Sequence, residues 1–171
     1  MSGIEIERKF LVRDSSYKAE AAESHHLVQG YICRGKDLTV RVRIADSKAF
    51  LTVKGRSSAD GTSRPEWEME IPADEAGRLM AFCRGGIIDK TRYIVPALSA
   101  ERGSGGEAGK GRVWEVDEFH GDNEGLVVAE IELGSAGEAF ARPGWLGDEV
   151  TGDSRYYNSM LAGHPYRTWP L

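Results

Sequence analysis

Alternating charged residues near the start of the chain indicate a strand with one charged face. Glu5, Glu7 and Lys9 stand at positions i, i+2 and i+4, with Ile6 and Phe10 interleaved. Side chains two residues apart project from the same face of a β-strand, so these three charges share one face. A single segment of this kind is typical of an ordinary solvent-exposed strand. The sequence repeats the pattern in six further segments, and that repetition indicates a more specific role.

The charged faces of the predicted strands carry two sets of side chains. The acidic set is Glu5, Glu7, Glu66, Glu68, Glu70, Glu115, Asp117, Glu130 and Glu132, and the basic set is Lys9, Arg41, Arg43, Lys54, Lys90 and Arg92. Clustered carboxylates favour hard divalent cations such as Mg²⁺ or Mn²⁺. Clustered Arg and Lys side chains favour a polyanion, and the guanidinium fork suits phosphate oxygens. Since like charges on one sheet face repel, the two sets together indicate a ligand that carries phosphates and a metal ion.

The elements that would position these residues are mainly strands. Predicted strands cover residues 4–12, 28–32, 37–44, 49–54, 64–71, 89–95, 113–119 and 126–133. Predicted helices cover residues 15–24, 73–83 and 154–162, with a helical turn at 135–140, and the His25–His26 pair is also expected on a helix. Short hairpin spacings predict a mostly antiparallel sheet. The glycine-rich residues 99–111 are expected to form a mobile hairpin loop.

Two architectures are compatible with strands that have one charged and one apolar face. In the first, an antiparallel sheet packs its apolar face on helices and exposes its charged face to water. In the second, the sheet closes, helices cover its apolar outside, and the charged face lines a water-filled lumen. Composition alone favours the first. The segregation of acids and bases by strand, with few threonines among them, favours the second.

Composition narrows the class of protein. A length of 171 residues suits one domain over residues 1–171, and the net charge of −5 argues against a general nucleic-acid binder. We find no signal peptide and no apolar run near the ~18 residues that span a bilayer, which predicts a cytoplasmic protein without a membrane partner. Cys33 and Cys83 lack metal-ligand spacing and are interpreted as reduced thiols. The scattered histidines do not support a zinc site.

Seven segments, taken in order, resemble the motifs of the CYTH superfamily, also called triphosphate tunnel metalloenzymes. Residues 5–9 resemble the family's ExExK signature, and the later motifs are resembled at residues 41–43, 52–55, 66–68, 90–93, 114–117 and 129–132. The resemblance covers essentially the whole chain and is greatest to short bacterial inorganic triphosphatases. It implies an α+β, mainly antiparallel β fold: a closed eight-stranded β-barrel, the triphosphate tunnel, with a charged lumen and helices on the outside. It therefore supports the second architecture.

The resemblance also implies roles for individual residues. The expected metal ligands for Mg²⁺ or Mn²⁺ are Glu5, Glu7, Glu130, Glu132 and Asp117. The expected substrate-binding residues are Lys9, Arg41, Arg43, Lys54, Lys90 and Arg92, supported by Glu66, Glu68 and Glu115. The candidate catalytic residues are Lys90, Glu7 and Tyr31. Crowding among cations is expected to lower the pKa of Lys90 towards that of a base, with charge binding as its main role. Tyr31 could serve substrate or packing, and packing is expected for Tyr156, Tyr157 and Asn158.

The implied activity is metal-dependent hydrolysis of the terminal phosphate of inorganic triphosphate, or tripolyphosphate. Class IV adenylate cyclase and thiamine triphosphatase remain open, because the tunnel motifs are shared and a nucleoside or organic triphosphate would occupy the same lumen. Outside the enzymes, a non-catalytic polyphosphate- or nucleotide-binding module is also compatible. The resemblance alone implies a homodimer.

Overall fold

The computed structural model describes residues 2–98 and 111–170, and in these ranges the chain forms nine strands and three α-helices. The strands are β1 (Ser2–Val12), β2 (Glu23–Arg34), β3 (Thr39–Ala45), β4 (Lys48–Lys54), β5 (Ser63–Ile71), β6 (Ile88–Pro96), β7 (Val113–Phe119), β8 (Val127–Glu132) and β9 (Leu146–Glu149). The helices are α1 (Tyr17–Glu20), α2 (Ala73–Met80) and α3 (Asn158–Leu161). The loop predicted at residues 99–111 lies, except for Gly111, outside the described residues.

Strand β1 closes the sheet into a barrel. The strand order is β5-β4-β3-β2-β6-β7-β8-β1, and β1 pairs in turn with β5. Residues 2–6 of β1 pair with β5 and residues 7–11 pair with β8, both antiparallel. The short strand β9 pairs with β1 at Phe10 and Val12, beyond the end of the β5 pairing. The predicted closed eight-stranded antiparallel barrel is therefore confirmed, with a ninth strand that the sequence analysis did not predict.

The apolar strand faces lie on the outside of the barrel, where helices and loops cover much of them. One buried cluster packs Phe10, Trp114 and Ile131 against Tyr17 of α1 and against Trp145. A second cluster packs α2 on the outer face of β2, β3 and β4. Within the described part of the chain, no helix has the length and apolar character needed to cross a bilayer.

Inward-facing positions change from charged to apolar towards one end of the barrel. The apolar positions lie two residues along the same strand faces from charged ones: Leu11 from Lys9, Ile88 from Lys90, Phe119 from Asp117 and Val128 from Glu130. These apolar side chains pack together with Leu161 and Ala162 from the C-terminal segment. An eight-stranded barrel is narrow enough for side chains to fill its interior. The charged lumen is therefore bounded at this end by a buried apolar cluster.

The expected helix at His25 and His26 is wrong, because both residues lie on β2. The ring of His25 contacts Asp46 at 2.6 Å, and the ring of His26 contacts Asp89 at 2.8 Å. Strand β2 therefore begins five residues before the predicted strand at residue 28, and its first polar side chains bond to the turn after β3 and to β6.

The expected helical turn at residues 135–140 is also absent from the structure, where these residues form bends and turns. The side chain of Glu138 accepts a hydrogen bond from the backbone N–H of Gly134 at 2.6 Å and pairs with Arg112. These contacts hold the segment in an irregular conformation.

The predicted last helix is divided into two pieces. Ser154–Tyr156 form a 3-10 turn in which Asp153 accepts from the backbone N–H of Arg155 at 3.1 Å, as expected for an N-cap. Tyr157 is extended, with φ −69° and ψ 133°, and α3 begins after it. The break directs Asn158 towards the barrel lumen, whose cavity it lines.

Candidate active site

The charged strand faces line a cavity of about 260 Å³ inside the barrel. The predicted site residues that line it are Glu5, Glu7, Lys9, Tyr31, Arg41, Arg43, Lys54, Glu66, Glu68, Lys90, Arg92, Glu115, Glu130 and Glu132. Asp117 lies behind this surface and is 1% exposed. A second cavity of about 420 Å³ shares five of these carboxylates and opens beside Arg112 and Gly134. The structure thus brings the predicted site residues to one place.

Strand register places Lys9 opposite Glu130 across β1 and β8. The ammonium of Lys9 lies 3.0 Å from a carboxylate oxygen of Glu130. Burial opposes ionisation of this carboxyl group, but Lys9 and Arg92 lower the pKa of Glu130 to about 2. For Lys9, the charges of Glu130 and Glu7 outweigh the effect of burial and raise the pKa. Both groups are therefore charged at neutral pH.

Lys54 joins two carboxylates where β1 meets β5. Its ammonium lies 2.6 Å from Glu5 and 2.8 Å from Glu66, its register partner on β5. Burial raises the pKa of Glu5, against the effect of Lys54. For Glu66, burial is outweighed by Lys54, and the pKa falls below its usual value. Closure of the barrel is what brings Glu5 within reach of this lysine.

The two arginines of β3 bond to neighbouring strands on either side. Arg41 donates to the Thr52 hydroxyl at 3.1 Å and to Glu68 at 3.4 Å. Arg43 donates through Nε to the side-chain oxygen of Gln29 at 2.9 Å. Burial, with Arg41 and Arg92 nearby, lowers the pKa of Arg43 to about 9. Such a cation favours an anionic ligand that would offset its burial.

Asp117 holds Lys90 and Arg92 from behind the lumen. It accepts from Lys90 Nζ at 2.5 Å and from Arg92 at 2.7 and 2.8 Å. A further guanidinium nitrogen of Arg92 contacts Glu115 at 2.5 Å. Burial lowers the pKa of Lys90 to about 7, with help from Arg92 and Arg43 and against the charge of Asp117. The expected depression of this pKa is therefore present, and burial is its main cause.

The carboxylates of β1 and β8 form an acidic region around Glu7, whose register partner is Glu132. Burial and the charge of Glu130 raise the pKa of Glu7 to about 8. Burial, with Glu115 and Glu66, also raises the pKa of Glu132. Carboxylates that resist ionisation in this way have too little positive charge nearby, which suits a hard divalent cation. In the described residues no three ligand side chains converge as a preformed metal centre, so this fit rests on donor chemistry.

Comparison with known proteins assigns the chain to a family. A model of the CYTH domain matches residues 3–160. The chain belongs to the CYTH domain family. An inorganic triphosphatase of Acetivibrio thermocellus is 45% identical to this CYTH domain over 168 residues, which are 98% of each chain. An inorganic triphosphatase of Nitrosomonas europaea is 35% identical over 161 residues, covering 92% of this chain and 96% of that protein.

Solved structures show the same fold. The crystal structure of the inorganic triphosphatase NE1496 aligns with this CYTH domain at a TM-score of 0.58 and 31% identity, covering 98% of this chain and all of the other. The PH1012 protein from Pyrococcus horikoshii OT3 aligns at a TM-score of 0.55 with 18% identity, covering 77% of this chain and 80% of the other, and supports the fold alone.

Sequence reasoning missed several lining residues of this CYTH domain, among them Arg64, Thr39 and Asn158, and it missed the buried Gln29 behind them. Arg64 and Thr39 line the cavity, and both stand in period two with predicted site residues, so the strand pattern could have identified them. Gln29, which is fully buried, and Asn158 bond to each other at 3.2 Å. The expectation that Asn158 only packs is wrong: it reaches the lumen from a segment distant in sequence, which gives no local signal.

Proposed function

We propose that this CYTH domain hydrolyses the terminal phosphate of inorganic triphosphate inside the barrel. The observation that carries the proposal is a single cavity lined by all six predicted cations and by carboxylates of β1 and β8. Triphosphate carries roughly four to five negative charges, which such a set of cations nearly neutralises. Both relatives matched over more than nine-tenths of the chain are named inorganic triphosphatases, which favours this substrate over ATP or thiamine triphosphate.

The proposal includes Mg²⁺ or Mn²⁺ at the carboxylates of Glu5, Glu7, Glu130 and Glu132. Their oxygen donors match hard cations. The raised pKa values of Glu5, Glu7 and Glu132 support the proposal, because a bound cation would favour the ionised form of these carboxylates. Such a cation supplies, when bound, charge neutralisation for the phosphoryl oxygens and a lower pKa for water. The geometry supports a role for Asp117 other than the expected metal ligand, because its two oxygens already bond to Arg92 and Lys90. We propose that it holds these two cations in place.

The side chains of the barrel would then perform the remaining tasks. Arg41, Arg43 and Arg92 hold the phosphates in line and offset the charge that develops on the leaving oxygen. Lys90 is partly neutral near pH 7, so its Nζ can accept the proton of attacking water, or in its charged form bind a phosphate oxygen. Tyr31 accepts from Gln29 at 3.0 Å, which leaves its own hydroxyl hydrogen for a phosphate oxygen.

Phosphate release from purified protein tests the proposal. Tripolyphosphate, ATP and thiamine triphosphate should be compared in Mg²⁺, Mn²⁺ and EDTA. We expect fast release from tripolyphosphate that requires a divalent cation, and slow release from ATP. Cyclic AMP formed from ATP would instead identify a cyclase. Tight tripolyphosphate binding without turnover would identify a binding module.

Glu7→Gln separates catalysis from binding in the same assay. The amide has nearly the same shape as the carboxylate but neither its charge nor its affinity for a cation. We expect loss of turnover, while tripolyphosphate binding measured in EDTA is retained. Glu70→Gln is the matched control, because Glu70 is exposed and does not line the cavity. Equal turnover in Glu7→Gln and wild type would exclude a catalytic role for Glu7.

Two expectations outside the lumen stay predictions. A cytoplasmic location follows from the interpretation of the sequence, and a homodimer follows from the family resemblance. Light scattering coupled to gel filtration would measure the mass in solution and test the dimer directly.

A further inference from the structure

Asn158 connects the C-terminal segment to the buried lysine of the lumen. Its side-chain oxygen accepts from Lys90 Nζ at 2.9 Å and from the Gln29 amide at 3.2 Å. The other side-chain bond of Lys90 goes to Asp117 at 2.5 Å. An ammonium group has three N–H donors. Among the described residues two of them therefore have side-chain acceptors, and the third remains for a ligand in the cavity.

Gln29 extends the same network to a second cation. Its amide nitrogen donates to Asn158 and to Tyr31, and its oxygen accepts from Arg43 Nε at 2.9 Å. Gln29 is fully buried, so these bonds have no competition from bulk water. One pair of carboxamides thus fixes the relative positions of Lys90 and Arg43.

Packing of α3 fixes Asn158 itself. Leu161 stands three residues after Asn158, on the same side of the short helix, and is fully buried. Leu161 and Ala162 belong to the apolar cluster with Phe119 and Ile88 that bounds the lumen. The helix is therefore attached to the apolar end of the barrel, while its first residue reaches the polar side.

We propose that Asn158 is a positioning residue for Lys90: it holds the ammonium so that its free N–H meets a phosphate oxygen of the substrate. Asp117 alone would leave the lysine side chain free to rotate about a single contact. Two acceptors on different strands and segments restrict that rotation. Displacement of a charged group by about an ångström weakens its contact in the transition state more than it changes the fold. The inference rests on the triphosphatase function proposed above.

The test is a double-mutant cycle between Asn158 and Lys90. Asn158→Leu removes the acceptor with little change in size, and Lys90→Met removes the group it positions. We expect Asn158→Leu to weaken tripolyphosphate binding, measured calorimetrically in EDTA, and to lower kcat/KM, each about tenfold. In the Lys90→Met background the same change should alter binding clearly less, because the group that Asn158 positions is absent and only its indirect effect on Arg43 through Gln29 remains.

Controls keep this outcome interpretable. Met160→Ala changes an exposed side chain of the same helix, at 43% exposure, and should leave binding unchanged in both backgrounds. If Asn158→Leu does not fold, Asn158→Ser serves, since its hydroxyl is too short to reach Lys90 and serine is tolerated at a helix start. Equal losses in both backgrounds, or no loss in either, would overturn the positioning role. A wild-type protein that neither binds nor hydrolyses tripolyphosphate would overturn the proposed function as well.

Discussion

Lys90 and Asp117 form an ion pair of 2.5 Å in which the side chains are 1% and 2% exposed. Charges so deeply buried are stable only when paired and hydrogen-bonded. Asp117 meets this condition with three donors from Lys90 and Arg92. The pair stands where the charged lumen meets the apolar end cluster, beside Phe119. Its removal should therefore affect the whole barrel.

Asp117→Asn should destabilise the folded protein by about 3–5 kcal/mol, because it leaves two buried cations without their counter-charge. Urea denaturation monitored by tryptophan fluorescence measures the change. Asp89→Asn, on β6 with a half-exposed side chain, is the control and should alter the free energy of unfolding by less than about 1 kcal/mol. A small effect of Asp117→Asn would show that Arg92 and Lys90 find other partners.

Glu7 should make the metal-free protein less stable as pH rises from about 5 to 8. Its folded pKa is about 8 against an ordinary value of 4.5, so in this window the folded state holds a proton that the unfolded state has lost. The contribution of Glu7 to stability is thus fully present below the unfolded pKa and is lost as pH rises through the folded pKa. Glu7→Gln should remove on the order of 4 kcal/mol of this pH dependence.

Thermal unfolding in EDTA at pH 5, 6, 7 and 8 measures this difference, with Glu70→Gln as the control. Added Mg²⁺ should flatten the wild-type profile, because a bound cation favours the ionised carboxylate. Parallel profiles for wild type and Glu7→Gln would contradict the assignment of the titration to Glu7.

Lys54→Met should weaken tripolyphosphate binding at least tenfold. The change removes one phosphate partner and leaves Glu5 and Glu66 without the cation between them, so their charge repels the polyanion. Isothermal calorimetry in EDTA gives the dissociation constant. Lys48→Met, an exposed lysine on the same strand, should change it less than twofold. Similar affinities for the two variants would contradict a substrate site at Lys54.

Gly61→Ala should destabilise the loop that borders the lumen by about 1–3 kcal/mol. Gly61 has φ +74°, and a Cβ there would lie 2.4 Å from the Cα of Gly152. Gly77→Ala is the opposite case, because Gly77 lies in α2 and a Cβ there would have no neighbouring atom within 4 Å. Alanine at this position should stabilise the folded protein by roughly 0.5–1 kcal/mol. Melting temperatures of the two variants should therefore move in opposite directions.

The strands were predictable because their chemistry alternates. β1 and β5 carry charges at every second position, so their inward faces could be assigned from sequence alone. The four residues of β9 include Gly147 and pair with β1 at only two positions, which leaves no periodic signal. The start of β2 was missed because His25 and His26 bond to aspartates on other segments.

The candidate site was predictable to the same extent and for the same reason. Lys9, Arg43 and Lys90 could be placed in the lumen, since strand period fixes the side to which they project. Asn158 could not, because its contact with Lys90 joins residues 68 positions apart and depends on how α3 packs. The partners of Asp117 depend likewise on register between β6 and β7, which alternation does not specify.

Two ion pairs of the lumen join a proposed phosphate partner to a proposed metal ligand: Lys9–Glu130 and Lys54–Glu5. A phosphate that binds the cation of such a pair leaves its carboxylate without a counter-charge. A metal ion that binds the carboxylate likewise leaves the cation unpaired. Under the proposed function, metal and triphosphate are therefore expected to be thermodynamically linked, so that each raises the affinity of the barrel for the other by the same factor. A single monovalent anion that binds the cation would gain too little free energy to separate such a pair. We therefore expect the barrel to bind the metal–polyphosphate complex more tightly than either the metal or the polyphosphate alone.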